Sequence, residues 1–399
     1  MDDIETITAP IRAERRQPAV LQVVPRLVTG GVERGTVDLA AALAALGWRS
    51  VVASEGGPMV HEVERAGARH VILPLASKNP LTMRANVARL EALIAREGID
   101  IVHARSRAPA WSAVAAARRA GVHFVTTFHN AYGAGTWLKR RYNAVMAQGE
   151  RIIAISDFVA RHVIATYGVP PARVTVVHRG VDVARFDPAR TSADRIIRLA
   201  TEWGLPDGVP VVMLPGRLAR WKGHSILFEA LRRLDRPVLH CLVVGSGSPR
   251  YRRELEAELK RRPLPGSVGI VDECRDMAAA YMLADVVVSA STEPEGFGRV
   301  VVEAQAMGRP VIATSHGGAM ETILAGETGW LVPPADADAL AHALAAALDL
   351  APEARFDLAG RAMAHVRENF AVATMTGRTI ALYEELLGIA VPADGPVTA

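Results

Sequence analysis

The feature that most constrains this chain is a regular alternation of short apolar runs with longer helical patterns. Most of the runs are continuous and rich in Val and Ile, which indicates strands buried on both faces of parallel sheets covered by helices. The runs occupy residues 19–25, 50–54, 70–75, 100–104, 123–129, 151–156 and 173–178, and then 209–216, 238–245, 268–272, 284–291, 310–314 and 329–333.

The alternation stops in the polar, turn-rich stretch 179–195 and then begins again. A chain of 399 residues is also too long for one ordinary core. We therefore predict an α/β protein with two doubly wound, Rossmann-like domains. The predicted limits are a loose tail over 1–18, an N-terminal domain over 19–190, a C-terminal domain over 191–372 and a final helical segment over 373–399.

Composition excludes several classes of protein. No apolar run reaches the roughly 18 residues of a membrane-spanning helix, and the polar start of the chain has no apolar signal-peptide core. Cys241 and Cys274 lie in or beside apolar segments, which predicts reduced thiols in a cytoplasmic protein. A net charge of +4 implies no nucleic-acid partner. No Cys/His cluster has metal-ligand spacing, and the one Asp-x-Asp, at 336–338, is typical of a helix cap.

Ligands of doubly wound sheets bind beyond the carboxyl ends of strands. The first such loop, in "PRLVTGGVERGTVDLA", places Gly30 and Gly31 directly before a helix. Paired glycines let a backbone approach a ligand closely, and a new helix offers N–H groups to an anion or a hydroxyl. A tight strand-to-helix turn is the alternative. No GxGxxG fingerprint or Walker motif is present, which argues against a dinucleotide or P-loop enzyme.

The second loop, in "LPGRLARWKGHSILFEAL", contains Gly216 and Arg217 after a strand and Lys222 before a helix. An arginine fork and a lysine point charge together suit a diphosphate. Only four of the 46 basic residues are lysines, which makes this one notable. Two solvated surface cations are the alternative.

The third loop is "EPEGFGRVVVEAQAMG". A helix is predicted to begin near Gly298, with the amides of Phe297, Gly298 and Arg299 pointing to a ligand. Glu295 lies in the loop, whereas Glu303 lies about 7 Å further along the helix axis in a run that is otherwise apolar. Such carboxylates could accept from sugar hydroxyls, act as the acid/base pair of a glycosidase, or form local salt bridges.

Polar residues also follow two strands of the first half. His129 ends the strand over 123–129, while Arg105 and Ser106 follow the neighbouring strand. They predict a site for an acidic or polyhydroxylated acceptor. A packed histidine and a polar helix start are the alternatives.

Together these motifs resemble the retaining glycosyltransferases of the GT4 type over residues 20–385. The Glu-x7-Glu motif of Glu295 and Glu303 with its "GFG" is the most specific element, joined by "GGVE" and by "GR" and "KG" within 216–223. The segment "VTVVHRGVDVARF" is similar to the family's interdomain segment, except that His178 and Arg179 replace the usual Pro-Asn.

The resemblance implies the GT-B fold, with two Rossmann-like domains facing across a cleft and a C-terminal helix crossing back. It implies that Arg217 and Lys222 neutralise a donor diphosphate, that Glu295 accepts from the sugar and that Glu303 accepts from the ribose. The other implied contacts are His129 on the sugar from the acceptor side, Gly30, Gly31 and Gly216 near the donor, the amides of Phe297, Gly298 and Arg299 on the diphosphate, and the backbone around Cys274 on the base.

The expected reaction is retaining transfer of a hexosyl-type sugar from an NDP-sugar to a hydroxyl of a cell-envelope glycolipid or lipopolysaccharide-type glycan. No metal or other cofactor is expected. An NDP-sugar epimerase, a phosphorylase or a non-catalytic nucleotide-sugar-binding protein is the alternative. The segment "TWLKRRYNAVM" (136–146) predicts either peripheral contact with the inner membrane surface or an ordinary solvated helix.

Overall fold

The computed structural model describes residues 16–28, 30–133 and 135–389. These residues fall into two compact units that divide between Val125 and Thr126. Residues 1–15 of the predicted tail and the last ten residues of the predicted C-terminal segment lie outside the described residues. The domain limits drawn from the sequence near residues 190 and 372 stay predictions.

The first sheet has seven strands in the order β3-β2-β1-β4-β5-β6-β7. The pairs β1–β2, β1–β4, β2–β3 and β6–β7 are parallel. The strands are β1 (Ala19–Val23), β2 (Arg49–Ser54), β3 (Arg69–Ile72), β4 (Ile101–Ala104), β5 (His123–Phe128), β6 (Arg151–Ala154) and β7 (Val174–Val176).

The second sheet has six strands in the order β10-β9-β8-β11-β12-β13, and every pair in it is parallel. All the strands predicted from the sequence are present, and their ends lie within three residues of the predicted ones; most are shorter, whereas β2 begins one residue earlier. They are β8 (Val211–Pro215), β9 (His240–Val244), β10 (Ser267–Val271), β11 (Val286–Ser289), β12 (Val311–Thr314) and β13 (Trp330–Val332).

Helices connect the strands, as parallel pairing requires. Local capping explains several helix ends. Asn79 accepts from the Leu81 amide at the start of α3, and Asp336 accepts from the Ala339 amide at the start of α13, which confirms the predicted cap. The helices are α1 (Gly31–Ala45), α2 (Val60–Arg65), α3 (Pro80–Glu97), α4 (Arg107–Ala120), α5 (Trp137–Asn143), α6 (Asp157–Tyr167), α7 (Ala193–Glu202), α8 (His224–Leu234), α9 (Pro249–Arg261), α10 (Met277–Met282), α11 (Arg299–Ala306), α12 (Ala319–Thr322), α13 (Ala337–Leu348), α14 (Pro352–Asn369) and α15 (Val372–Leu387).

The core of the second sheet is a layer of aliphatic side chains. Val212, Val288 and Ile312 are fully buried in neighbouring strands, and they belong to one cluster with Leu227 of α8 and Leu344 of α13. Complete burial of such a side chain contributes about 1.5–3 kcal/mol each. The sheet is therefore a rigid platform for the loops at its edge.

Each sheet has one point at which the strand order reverses. In the first sheet it lies between β1 and β4, and in the second between β8 and β11. Ligands of doubly wound sheets bind in the crevice at such a switch point. The loops that follow these four strands contain Gly30, Arg105, Lys222 and Glu295. These four residues, selected from the sequence, therefore lie at the two switch points, whereas His129 follows β5 and Cys274 follows β10.

The C-terminal helix α15 returns to the last strands of the first sheet. The amide of Val181, beyond β7, donates to Phe370 O over 2.7 Å, and the Val372 amide donates back to Val181 O over 3.0 Å. Arg151 of β6 forms an ion pair with Glu385 near the end of α15. These contacts join α15 and the segment before it to the ends of β6 and β7, while a return to the N-terminal domain stays a prediction.

Gly180 is required by this return, because an added Cβ would lie 2.6 Å from Val372 Cα. We expect Gly180→Ala to lower the free energy of unfolding by about 1–3 kcal/mol, the usual cost of overpacking. Gly377, inside α15, has nothing within 4 Å of an added Cβ. Gly377→Ala should therefore stabilise by up to about 1 kcal/mol. Urea unfolding measures both, and equal stability of the two variants would contradict the assigned contact.

Candidate active site

The loop after β8 carries a lysine to the switch point of the second sheet. A 3-10 turn over Arg220–Lys222 ends at Gly223. The φ of Gly223 is 74°, in the left-handed region that favours glycine. A Cβ on Gly223 would lie 1.8 Å from Ala290 O, at the end of β11. The glycine thus lets the two switch-point loops touch, and it sets Lys222 beside the loop that follows β11.

Lys222 and Glu295, selected separately from the sequence, form an ion pair. Lys222 Nζ lies 2.7 Å from Glu295 Oε1, and the two side chains are only 10% and 18% exposed. Ser291 also donates to Glu295 Oε1, and Lys222 Nζ lies 4.5 Å from the centre of the Trp221 ring. The lysine therefore holds the carboxylate of Glu295 in one orientation within the loop that follows β11.

A glycine pair that was not selected from the sequence supports this loop. A Cβ on Gly317 would lie 2.4 Å from Glu295 O, and one on Gly318 would lie 2.5 Å from Phe297 Cα. The Gly318 amide donates to Glu295 O over 2.9 Å. The sequence contains a signal for this glycine pair: "HGG" follows β12, just as "TGG" follows β1.

Glu303 is buried in α11 but has two protein partners. Arg299 Nη2 donates to its Oε1 over 2.7 Å, and the Tyr281 hydroxyl donates to its Oε2 over 2.9 Å. Burial, followed by the charge of Glu303, raises the pKa of Tyr281 well above its ordinary value, so the hydroxyl stays a donor. Glu303 thus already has two protein partners, and each oxygen retains lone-pair capacity, so its contact with a ribose stays a prediction.

Arg217 lies at the same switch point, directly after Gly216. Gly216 has a φ of 137°, and Arg217 is exposed. Arg217 makes no ion pair with any residue in the part of the chain that the structure describes. It is thus an exposed cation at this switch point, in contrast to the buried Lys222.

The predicted acceptor residues lie on strand ends of the first sheet. Arg105 is 5% exposed and donates to Gln22 Oε1 over 3.3 Å, and Ser106 is the N-cap residue of α4. Gly30 precedes α1, and a Cβ there would lie 2.2 Å from Glu33 Oε2. A buried guanidinium at a strand end is suited to an anionic ligand.

His129 follows β5 and lies beside the loop of Glu295. A Cβ on Gly296 would lie 3.1 Å from His129 O, so a larger residue would crowd this approach. The structure thus brings His129 close to the "EGFG" segment. Cys274 lies after β10, where burial raises the pKa of its thiol to about 11, so the side chain is neutral.

With this geometry in place, comparisons with known proteins decide the family. Residues 29–185 match the family model described as Glycosyltransferase Family 4, and residues 197–363 match the model described as Glycosyl transferases group 1. The chain belongs to glycosyltransferase family 4. It is therefore a transferase enzyme, and the predicted GT-B fold is confirmed.

Two solved structures share the fold over most of the chain. A glycosyltransferase from Rickettsia africae ESF-5 is 36% identical, with a TM-score of 0.85 over 94% of this chain and 100% of that chain. HepE from Anabaena in complex with UDP and glucose is 24% identical, with a TM-score of 0.79 over 92% of this chain and 100% of that one. The second likeness shows the fold alone.

Two curated relatives of this family 4 glycosyltransferase carry the name D-inositol 3-phosphate glycosyltransferase. The protein from Xylanimonas cellulosilytica is 32% identical over 66% of this chain and 67% of its own length. The protein from Salinispora arenicola is 32% identical over 78% of this chain and 73% of its own length.

Within the described ranges, no helix is both long and apolar enough to cross a membrane.

A buried histidine behind Lys222 gives the first test of the site. His224 begins α8 and is fully buried, and burial, followed by the charge of Lys222, lowers its pKa to about 4. The unfolded chain binds this proton near pH 6.5, so stability is lost as pH falls from about 6.5 to 4.

We expect His224 to account for about 2 kcal/mol of the stability lost between about pH 7.5 and pH 5. His224→Gln should remove that part of the pH dependence in urea unfolding, whatever its effect at pH 7.5. His61→Gln, at an exposed position, is the matched control. An unchanged pH dependence in His224→Gln would contradict the assigned burial.

Proposed function

We propose that the chain is a retaining glycosyltransferase that moves a hexosyl-type sugar from an NDP-sugar to a hydroxyl acceptor. The observation that carries the proposal is the Lys222–Glu295 pair, 2.7 Å apart at the switch point of the second sheet. A cation and a carboxylate so placed can bind the diphosphate and the sugar of one donor. Helix α11 begins four residues after Glu295, and its N-terminus adds backbone amide donors.

The proposed chemistry depends on the negative charge that develops on the departing NDP. When the bond between the anomeric carbon and the diphosphate oxygen breaks, its electron pair goes to the departing NDP. Lys222, Arg217 and the amides of Phe297 to Arg299 then stabilise the transition state more than the ground state. The acceptor oxygen attacks from the face that the NDP leaves, and the departing phosphate oxygen takes the acceptor proton. This front-face route retains the anomeric configuration without a protein nucleophile.

Lys222 can serve both partners at once because an ammonium has three donors. One donor already holds Glu295 Oε1, which leaves the others for a phosphate oxygen. Glu295 Oε2 then accepts from a hydroxyl of the transferred sugar. With two cations and a helix N-terminus on the leaving group, we propose that the reaction requires no metal ion.

For the acceptor, we propose an anionic polyol whose charged group binds Arg105 and Ser106. Support comes from the buried guanidinium of Arg105 and from the relatives named D-inositol 3-phosphate glycosyltransferase, whose name specifies a phosphorylated cyclitol. A phosphorylated cell-envelope glycolipid of the lipopolysaccharide type shares this chemistry. Activity assays with D-inositol 3-phosphate and with such a glycolipid distinguish the two.

The test of the donor site is NDP release from UDP-glucose and related NDP-sugars, with and without acceptor. Release that requires acceptor supports transfer, whereas binding without turnover would favour a non-catalytic protein, and interconversion of the sugar an epimerase. We expect Lys222→Ala and Glu295→Gln each to lower kcat/KM by about 10²–10³-fold, as loss of a transition-state contact does. EDTA should have no effect.

Three controls separate catalysis from folding. Glu293→Gln lies in the same loop but is exposed, and Lys260→Ala removes an exposed lysine, so both should retain activity. Losing one member of a buried ion pair is destabilising, so the combined variant Lys222→Met/Glu295→Gln should be more stable than Lys222→Ala. Activity that recovers together with stability in the combined variant would contradict the proposed role.

We further propose that α5 contacts an anionic membrane surface. Trp137 and Leu138 are 69% and 62% exposed, and the three residues that follow, Lys139, Arg140 and Arg141, are also exposed. Exposed aromatic and apolar groups next to basic ones are typical of interfacial helices. Each cation contributes about 1 kcal/mol near an anionic surface.

Vesicle co-sedimentation tests this contact, with phosphatidylserine-rich vesicles against neutral ones. We expect alanine at Lys139, Arg140 and Arg141 to weaken binding to anionic vesicles roughly a hundredfold. The chain offers a control of identical composition in Lys260, Arg261 and Arg262, which are also exposed. Equal binding by the two triple variants would refute the membrane contact.

A further inference from the structure

His178, one of the two residues that depart from the family pattern, packs against the loop of residues 292–298 between β11 and α11, called the donor loop below. Its ring centre lies 6.0 Å from that of Phe297 and 5.4 Å from that of Phe370, edge-on to the latter. Phe297 is 3% exposed and directly follows Glu295-Gly296. A proline at position 178 would provide neither an aromatic ring nor a hydrogen-bond donor.

A carboxylate fixes the orientation of this histidine. His178 Nε2 lies 3.0 Å from Glu321 Oε2, and Glu321 also accepts from the amides of Asp157 and Phe158 over 2.7 and 2.8 Å. Burial raises the pKa of Glu321, but the hydrogen bonds from His178 and these amides outweigh it and lower that pKa. The ionised carboxylate thus ties His178 to the start of α6.

The same end of α6 holds the donor loop directly. The Ser156 hydroxyl, at the N-cap of α6, donates to Gly296 O over 2.6 Å. On the other side of the loop, the Gly318 amide donates to Glu295 O. The backbone of residues 295–297 is therefore held by α6, by the segment before α12 and by the His178 ring.

We propose that His178 is a positioning residue for donor binding: it holds Phe297 so that the amides of Phe297 to Arg299 face the diphosphate. The effect of His178 on donor binding rests on the proposed function, but the fixed position of the loop can be tested without that function. Ligand-type atoms of Asp157, His178 and Glu321 also lie within 4.8 Å of one another. Because Glu321 already accepts three hydrogen bonds, we assign the three residues to a hydrogen-bonded clasp and not to a metal site.

Hydrogen exchange of the unliganded protein tests the clasp itself. We expect His178→Ala to raise amide exchange in the peptide spanning residues 293–302 about tenfold, and His178→Phe, which keeps the ring, to raise it about threefold. His365→Ala is the matched control, because His365 packs edge-on against the same Phe370 at 5.2 Å. Unchanged exchange in His178→Ala, or an equal increase in His365→Ala, would overturn the proposal.

Steady-state kinetics test the consequence. His178→Ala should raise the KM for the NDP-sugar about tenfold and leave the acceptor KM within twofold, and His178→Phe should recover most of the loss. A fall in kcat alone would indicate a merely structural role and overturn the proposal. A wild-type protein that releases no NDP would instead refute the proposed function, while the exchange result still decides on the clasp.

If EDTA reproduces the exchange change of His178→Ala, the cluster is a metal site and the clasp is wrong.

Discussion

The site depends on one ion pair, Lys222 with Glu295, held at the point where the order of the second sheet reverses. A charge in so enclosed a place is costly unless its partner is fixed. Gly223 fixes one side by its close approach to Ala290, and Gly317 fixes the other by its close approach to Glu295. Small residues at these turns are therefore as necessary to the site as the charged ones.

The loop that carries Glu295 is held from outside its own sheet as well. Ser156 hydrogen-bonds to Gly296, and His178 packs on Phe297 while Glu321 orients its ring. These contacts link the ends of β6 and β7 to the segment that offers amides to a ligand. A change in the interdomain segment can thus alter donor binding without touching the donor, which is how we interpret the departure from Pro-Asn at positions 178 and 179.

The fold could be predicted almost completely, because doubly buried parallel strands leave a direct mark on composition. "VVMLP" and "VVVS" are apolar throughout, and each proved to be a strand. The glycine-containing motifs around Gly30, Lys222 and Glu295 also lie at the two switch points, because strand-to-helix loops are recognisable by their glycines. Side-chain pairing was less predictable. Glu303 contacts Arg299, which lies four residues earlier in the same helix, and Tyr281, which is distant in the sequence. The ring stacking of His178 depends on distant segments, which no local pattern encodes.

The most direct measurement is a crystal structure with whichever of UDP, GDP, ADP and CDP raises the melting temperature most. In that complex we expect a phosphate oxygen about 2.7–3.2 Å from Lys222 Nζ and from amides of Phe297 to Arg299. We expect Glu303 to lie at the ribose. A diphosphate bound at Gly30 and Gly31 instead, with Lys222 making no contact to it, would contradict the central claim.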